Sequence, residues 1–445
     1  MLSLSQALRV TKSQAVAFVG AGGKTSAMFR VAGQFAPALV TCSTHLGAWQ
    51  AGLADSHLIW ESDGPMPEME SQLGRGITLV TGALDLETQR YRGLSAPQLE
   101  KLRQLAGYHD LPLLIEADGS RQKALKAPGE YEPVIPSFVD VVVVVAGLTG
   151  LGQALSAEVV HRPQIFASLA EIKAGEIITP LALAKVLSHA DGGLKNIPSQ
   201  ARRLVLLNQA DTAELQSQAN EISQLLISVF DAVVVTVLQP QPGSVLAIKE
   251  DIAALILAAG ASTRYGQPKQ LLDYRGKPFV RALALTALQA GLFPVNVVCG
   301  ANSEAVSAVV KDLPVRIVNN PDWQAGQSTS IKAGLRDVPG KNGGAFFLMA
   351  DQPQVPIELL RAMVERHSQD LPPVLAPYVF DQRANPFLFD RVTFDALLTI
   401  TGDNAGRAIF STFSPRYLNW FDRRLLLDVD TPADYQKLLA AEVAA

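Results

Sequence analysis

The junction that most constrains this chain is the one between the apolar run 252–256 and the loop Leu257-Ala-Ala-Gly-Ala-Ser-Thr-Arg-Tyr-Gly-Gln-Pro-Lys269. Five apolar residues entering a turn of small side chains read as a buried parallel strand whose C-terminal end is delivered to a ligand. Ala258, Ala259, Gly260 and Ala261 let backbone N–H groups approach an anion without a side chain in the way, and a helix expected directly after the loop would turn its positive end to the same place. Arg264 can fork onto two phosphate oxygens, and Lys269 adds a point charge. The pattern predicts a phosphate site.

A second junction of this kind lies near the start of the chain. The strand expected over 15–19 runs into Gly20-Ala-Gly-Gly-Lys-Thr25, with a helix expected from Ser26. The full phosphate-loop pattern, G-x-x-x-x-G-K-[ST], would need a glycine where Phe18 stands. The loop is therefore a shortened one, of the G-x-x-G-K-T type found in Mur-ligase-like enzymes. Gly20, Gly22, Gly23, Lys24 and Thr25 are its candidate contacts to ATP or GTP. Two further strand ends are expected at the same rim: Thr44 and His45 follow one, and Asp118 in Glu116-Ala-Asp-Gly-Ser-Arg121 follows another, where a carboxylate could support magnesium. Asn208-Gln-Ala-Asp211, after a strand over 204–207, is similar to the N-K-x-D guanine-reading turn of GTPases, with Gln209 in place of Lys.

The 445 residues exceed one ordinary core and indicate two or three domains. With 38 basic and 42 acidic side chains, the net charge of −4 provides no field for nucleic acid or an anionic membrane. Two distant cysteines, Cys42 and Cys299, form no ligand cluster, in keeping with a reducing cytoplasm. No export signal is expected from residues 1–10, which lack a basic start and a long apolar core, and the most apolar stretch, 139–148, is broken by Asp140 and is too short to span a bilayer. Gln239-Pro-Gln-Pro-Gly-Ser244 cannot continue a helix or a central strand. The domains expected are 1–243 and 251–445, joined by a linker over 244–250.

In the second domain, the apolar strand 345–349 leads to Asp351-Gln-Pro353, which places a carboxylate at the rim of the sheet. Asp428 and Asp430 are expected on one side of a later strand, so that either could share a magnesium ion with Asp351. Ser328 or Ser330 is expected to cap a helix from Ile331. Asp403 and Arg407, in a loop at 401–407, are candidate substrate contacts.

The segment 257–269 resembles the L-A-A-G-x-S-x-R-x-G-x-P-K signature of the MobA-like nucleotidyltransferases, most closely the molybdenum cofactor cytidylyltransferases. The resemblance implies that Leu257, Ala258, Ala259, Gly260, Arg264, Lys269, Ser328 and Ser330 hold the nucleotide. Arg264, Lys269 and Asp351 would be catalytic, and Asp351 and Asp430 would bind Mg²⁺, matching the family's D-x-P and D-x-D-T-P-x-D elements. Arg383-Ala-Asn-Pro-Phe387 resembles its x-G-x-P pterin segment, with Ala384 in place of Gly, so Arg383 and Asn385 join Asp403 and Arg407 as pterin contacts. The implied reaction moves CMP from CTP to the phosphate of Mo-molybdopterin, with release of pyrophosphate. The first half, through Val19 to Thr25, Glu116 to Arg121, Leu125 to Pro128, Glu132 to Pro136 and Val160 to Pro163, resembles the YqeC-like selenium-dependent hydroxylase accessory proteins. That likeness implies a molybdenum hydroxylase of the xanthine dehydrogenase type as client. The expected architecture is α/β in two fused domains: a P-loop-like N-terminal domain and a Rossmann-like nucleotidyltransferase domain with a mostly parallel sheet. The alternatives are a guanylyl- or sugar-1-phosphate nucleotidyltransferase, and a non-catalytic carrier that senses nucleotide.

Overall fold

The computed structural model describes residues 2–61, 65–69, 73–240, 243–403 and 405–443. The chain divides into two compact units, Met1–Lys249 and Glu250–Ala445.

The first unit is built on a sheet of nine strands: β1 (Ala15–Gly20), β2 (Ala38–Cys42), β3 (Ser56–Ile59), β4 (Ile77–Thr81), β5 (Leu113–Glu116), β6 (Val141–Gly147), β7 (Arg202–Asn208), β8 (Ala232–Val237) and β9 (Ser244–Lys249). Their order is β9-β8-β7-β6-β1-β5-β2-β4-β3. All neighbours run parallel except β8 and β9. The run of valines at 141–145 explains β6: β-branched side chains favour the extended backbone, and all seven residues of the strand are buried, as a parallel strand covered on both faces must be. β1 is central, so the loop after Gly20 and the ends of β5 and β7 share one rim. The helix Lys24–Phe35 follows that loop and buries Ala27, Met28, Val31 and Ala32 at helical spacing.

The segment expected as a linker is instead mostly strand. Ser244–Lys249 pairs antiparallel with β8 and forms the edge of the first sheet, with a register shift at Val235 and Thr236. The punctuation at 239–244 falls between β8 and β9 in the sequence, a place where Pro and Gly occur as readily as at a domain boundary. Gln241 and Pro242 lie outside the described residues.

The second unit contains β10 (Ile252–Ala258), β11 (Val295–Cys299), β12 (Arg316–Asn319), β13 (Gly344–Met349), β14 (Val374–Val379), β15 (Gln382–Arg383), β16 (Phe387–Asp390) and β17 (Arg416–Asn419). The order is β12-β11-β10-β13-β16-β14-β15, and β17 joins β14. β12, β11, β10 and β13 are mutually parallel, and β16 enters antiparallel to β13. Both faces of the sheet are covered. Ile252, Ala254, Ile256 and Ala258 feed one buried cluster, while Ala253, Leu255 and Leu257 feed the other. Strand alternation with no polar face therefore produces the continuous apolar run seen in the sequence. It also puts the loop after Ala258 beside the end of β13, where Asp351 stands.

Candidate active site

The loop after β10 opens into a cleft of about 580 Å³, bordered by Gly260, Arg264, Lys269, Ser330, Asp351 and Asp430 among others. Beyond its two chain neighbours, Gly260 has no atom of the described residues within 4 Å of where a Cβ would sit, so its missing side chain leaves open space in the cleft. Ala258 lies behind the loop, buried at the strand end, while Leu257 and Ala259 border the cleft.

The loop does not run directly into a helix. Ser262 is left-handed at φ 56°, a three-residue turn Lys269–Leu271 follows, and the next α-helix begins only at Phe279. What shapes the loop is Gln270, 4% exposed. Its side-chain amide donates to the carbonyls of Ala258 at 3.0 Å and Gly260 at 2.6 Å, and the Ser262 hydroxyl in turn accepts the Lys269 N–H at 3.1 Å. The sequence pattern ended one residue short of Gln270. A polar side chain flanked by turn residues carries no signal that it folds back to brace them.

Lys269 Nζ donates to Asp351 at 3.0 Å and to Asp430 at 2.7 Å. The two carboxylates therefore converge on one cation, although Asp351 and Asp430 are 79 positions apart. Burial alone would lower the Lys269 pKa. Asp351 and Asp430 outweigh it and leave the ammonium above the ordinary lysine value. Residues 427–430 belong to no strand, which corrects the expected strand alternation there. Asp428 turns its carboxylate to the Gln352 amide instead, and burial, then Asp351, raises its pKa.

Neither serine caps the helix that follows. The helix is Gln327–Arg336 with Gly326 at its N-cap. The Gln327 N–H donates to the Asp403 carboxylate at 3.1 Å, so a distant acid does the capping. Gly326, at φ 106°, leaves room for it, since a Cβ there would lie 2.7 Å from Asp403 Oδ1. Ser328 and Ser330 are inside the first turn and buried; the Ser330 hydroxyl accepts from Asn320 at 3.0 Å.

A smaller cavity of about 260 Å³ shares Leu257, Gln327, Met349 and Asp403 with the cleft's border. Its walls include Phe347, Phe387 and Phe389, with Asn385 and Arg407 beside them. Arg383 is exposed on the hairpin of β14 and β15 and borders neither cavity.

In the first unit the glycine loop is closed on its own surroundings. Gly20 N–H donates to Asp118 at 3.0 Å, Ala21 N–H to Val145 at 2.8 Å and Gly22 N–H to Lys123 at 3.1 Å. Lys24, 3% exposed, donates to the Gly20 carbonyl at 2.8 Å and lies 3.3 Å from Asp118. Thr25 donates to Glu116 at 2.8 Å, and burial pushes that carboxyl up. Asp118 also accepts from Lys126 at 2.7 Å. Asn208 braces the loop through the Gly22 carbonyl at 2.8 Å. Thr44 and His45 border a separate cavity that none of residues 20–25 touches.

Residues 16–164 match the family model of the YqeC protein, and residues 254–417 match that of the MobA-like NTP transferase domain. The chain is 30% identical over 217 residues to the uncharacterized protein YqeC of Escherichia coli K12, covering 47% of this chain and 82% of that protein. It is 32% identical over 203 residues to nicotine blue oxidoreductase of Paenarthrobacter nicotinovorans, covering 42% and 96% respectively. The chain joins a YqeC domain to a MobA-like NTP transferase domain. The solved structure of Rv0371c from Mycobacterium tuberculosis H37Rv shares 30% identity, covering 43% of this chain and 98% of that one with a TM-score of 0.39. The transferase unit carries the cleft around Lys269, and the YqeC unit carries the closed loop around Lys24. Among the described residues no helix is long and apolar enough to cross a membrane.

Proposed function

We propose that the transferase unit is a molybdenum cofactor cytidylyltransferase, moving CMP from CTP to the terminal phosphate of Mo-molybdopterin. The observation that carries this reading is the convergence of Lys269, Asp351 and Asp430 at the mouth of a loop whose glycine faces open space. Two hard carboxylates already grouped around one cation suit a magnesium ion that takes its remaining ligands from water and phosphate. When bound, the ion would neutralise triphosphate oxygens.

The chain's own residues would then position and neutralise. Loop N–H groups, held by Gln270, would receive phosphate oxygens, Arg264 would fork onto them, and Lys269 would leave its carboxylates to follow the developing charge. The acceptor is already an anion, so no general base is required, and alignment supplies much of the rate. The adjoining cavity, with three phenylalanines for a flat ring and Arg407 for a phosphate, suits a phosphorylated pterin. Ser330, which borders the cleft, would line the nucleotide side, whereas Ser328 is buried in the same turn of helix and borders neither cavity. A molybdenum hydroxylase is the proposed client of the finished cofactor.

The test is purified protein with molybdopterin, Mg²⁺ and each NTP in turn, following pyrophosphate. CTP-dependent release that Asp351→Ala abolishes supports the reading. Release with GTP alone, or with a sugar 1-phosphate as acceptor, replaces it. One relative is named as an oxidoreductase, so a parallel arm supplies reduced nicotinamide cofactor without NTP; turnover there in place of pyrophosphate release would sink the transferase assignment.

A further inference from the structure

The YqeC unit has a cavity of about 540 Å³ that the transferase chemistry does not use, and its border is cationic. Arg90, Arg121, Lys123 and Arg162 face it, against a single acid, Glu132. That acid is already engaged, by both guanidinium nitrogens of Arg162 at 2.8 and 2.7 Å and by Lys126 at 2.5 Å. Among the described residues Arg90, Arg121 and Lys123 have no ion-pair partner. A local excess of positive charge in a chain of net charge −4 is a feature to be explained.

Three further observations bear on what the cavity receives. The hydroxyl oxygen of Thr44, a bordering residue, is buried and has no hydrogen-bond partner among the described residues, although such groups are nearly always satisfied. The helix Pro163–Ala170 begins at the border with no side-chain cap on its first amides, so its positive end adds to the field. Arg121, Gln122 and Arg162 hold left-handed backbone at φ 49°, 60° and 64°, a conformation that costs non-glycine residues energy and gathers at ligand sites. The field also shows on a neighbour: burial first, then Arg162, Lys126 and Arg121, brings the His161 pKa down to about 4. His161 therefore faces the cavity neutral at neutral pH.

We propose that this cavity binds the phosphate groups of a small molecule of nucleotide size. The guanidinium groups of Arg90 and Arg121 supply forks, Lys123 a point charge, and Thr44 a hydroxyl donor. The volume falls in the range of small-molecule sites, and a neutral ligand would leave the cations unanswered. The ligand carries at least two negative charges, as a pyrophosphate group does. The glycine loop, whose first amides and lysine are spent within the protein, is not this site. The inference stands apart from the cytidylyltransferase reading.

The experiment uses the full chain carrying Lys269→Ala, in EDTA, so that the transferase cleft and metal-dependent binding are disabled. Calorimetry follows inorganic pyrophosphate and, separately, a nucleoside triphosphate. The expected result is one site per chain, with about tenfold weaker binding for each of Arg121→Ala and Lys123→Ala. Thr44→Val removes an unsatisfied oxygen at nearly constant volume. It is expected to weaken binding while leaving the melting temperature unchanged or raised, which a purely structural threonine would not do. Tighter binding of the triphosphate than of pyrophosphate assigns a nucleotide, and equal binding assigns the phosphates alone; either supports the site. No binding of either probe, or binding indifferent to Arg121, Lys123 and Thr44, overturns it. Pyrophosphate release by chains with an intact Lys269 is unchanged by Arg121→Ala, so failure here and failure of the transferase reading are told apart.

Discussion

Lys269→Met separates two roles that one ammonium combines. The ammonium sits 3.0 Å from Asp351 and 2.7 Å from Asp430, where a divalent ion would be held, so in the nucleotide-free chain it competes with that ion. Methionine keeps the apolar stem and removes the charge. The Asp430 side chain is 51% exposed, so each contact is taken at the screened value of roughly 0.5–1 kcal/mol. Removing both frees about 1–2 kcal/mol, which predicts divalent-ion binding roughly 5- to 30-fold tighter without nucleotide. Nucleotide transfer moves the other way, falling about 10²- to 10³-fold as for loss of one preorganised charge. Manganese titration followed by electron paramagnetic resonance reads the first number, and pyrophosphate release reads the second. Because its carboxylates hold the Lys269 pKa above the ordinary value, the competition should persist from pH 7 to 9. Metal affinity that stays level or drops in Lys269→Met would show that the ammonium does not stand in the ion's place; full activity would show that it does not serve the triphosphate.

Gln270→Leu removes two bonds that shape the loop after β10; on the proposed function we expect a loss of about 1–3 kcal/mol in urea unfolding and a rise in KM for the NTP that exceeds the fall in kcat. Gly22→Ala places a Cβ 2.3 Å from Gly147 N at φ 80° and should cost at least ~2 kcal/mol. Gly260→Ala meets nothing within 4 Å, so it should melt like the parent and lose nucleotide affinity as its methyl enters the cleft. Burial alone would raise the Glu132 pKa, but Arg162 and then Lys126 take it down to about 2. Its folded value lies below its unfolded one, so its stabilisation, about 1–2 kcal/mol once solvent screening of this half-buried group is allowed for, is complete above about pH 4.5 and lost as pH falls toward 2. Denaturant midpoints of parent and Glu132→Gln at pH 7 and pH 3 should show the parent losing more on acidification, and equal losses would refute the coupling. His161, held down to about 4, adds a loss of the same sign below about pH 6.5.

What was legible in the sequence was local. Apolar runs gave the buried strands β1, β6, β10 and β13 because burial on both faces leaves no room for alternation. Asp351 could be placed at a rim because a strand and a proline bracket it. The braces were not legible. Gln270 on the loop after β10, Asn208 on the closed loop and Asp403 on the helix at Gln327 each act across a turn or between distant segments, and none belongs to a periodic pattern. Ser328 and Ser330 were good caps by residue type, but the helix starts earlier and Gly326 with Asp403 takes the position. The edge strand β9 was hidden for a related reason, since its pairing with β8 is a property of the sheet.

The two glycine loops sharpen the point, because as sequence they make the same case: a buried strand, small residues, then a lysine. In the structure their glycines answer different needs. At Gly20, Gly22 and Gly23 a Cβ would come within 2.2, 2.3 and 2.4 Å of Val145 O, Gly147 N and Asn208 Nδ2, so those glycines let the chain pack against itself. At Gly260 the space is empty. The lysines divide the same way: Lys24 is 3% exposed, among the Gly20 carbonyl, Glu116 and Asp118, whereas Lys269 borders an open cleft. A glycine needed for packing and a glycine needed for a ligand are the same letter, and only the atoms opposite the missing Cβ distinguish them. Substituting alanine at Gly22 and Gly260 turns that distinction into two separable losses, one of fold and one of nucleotide.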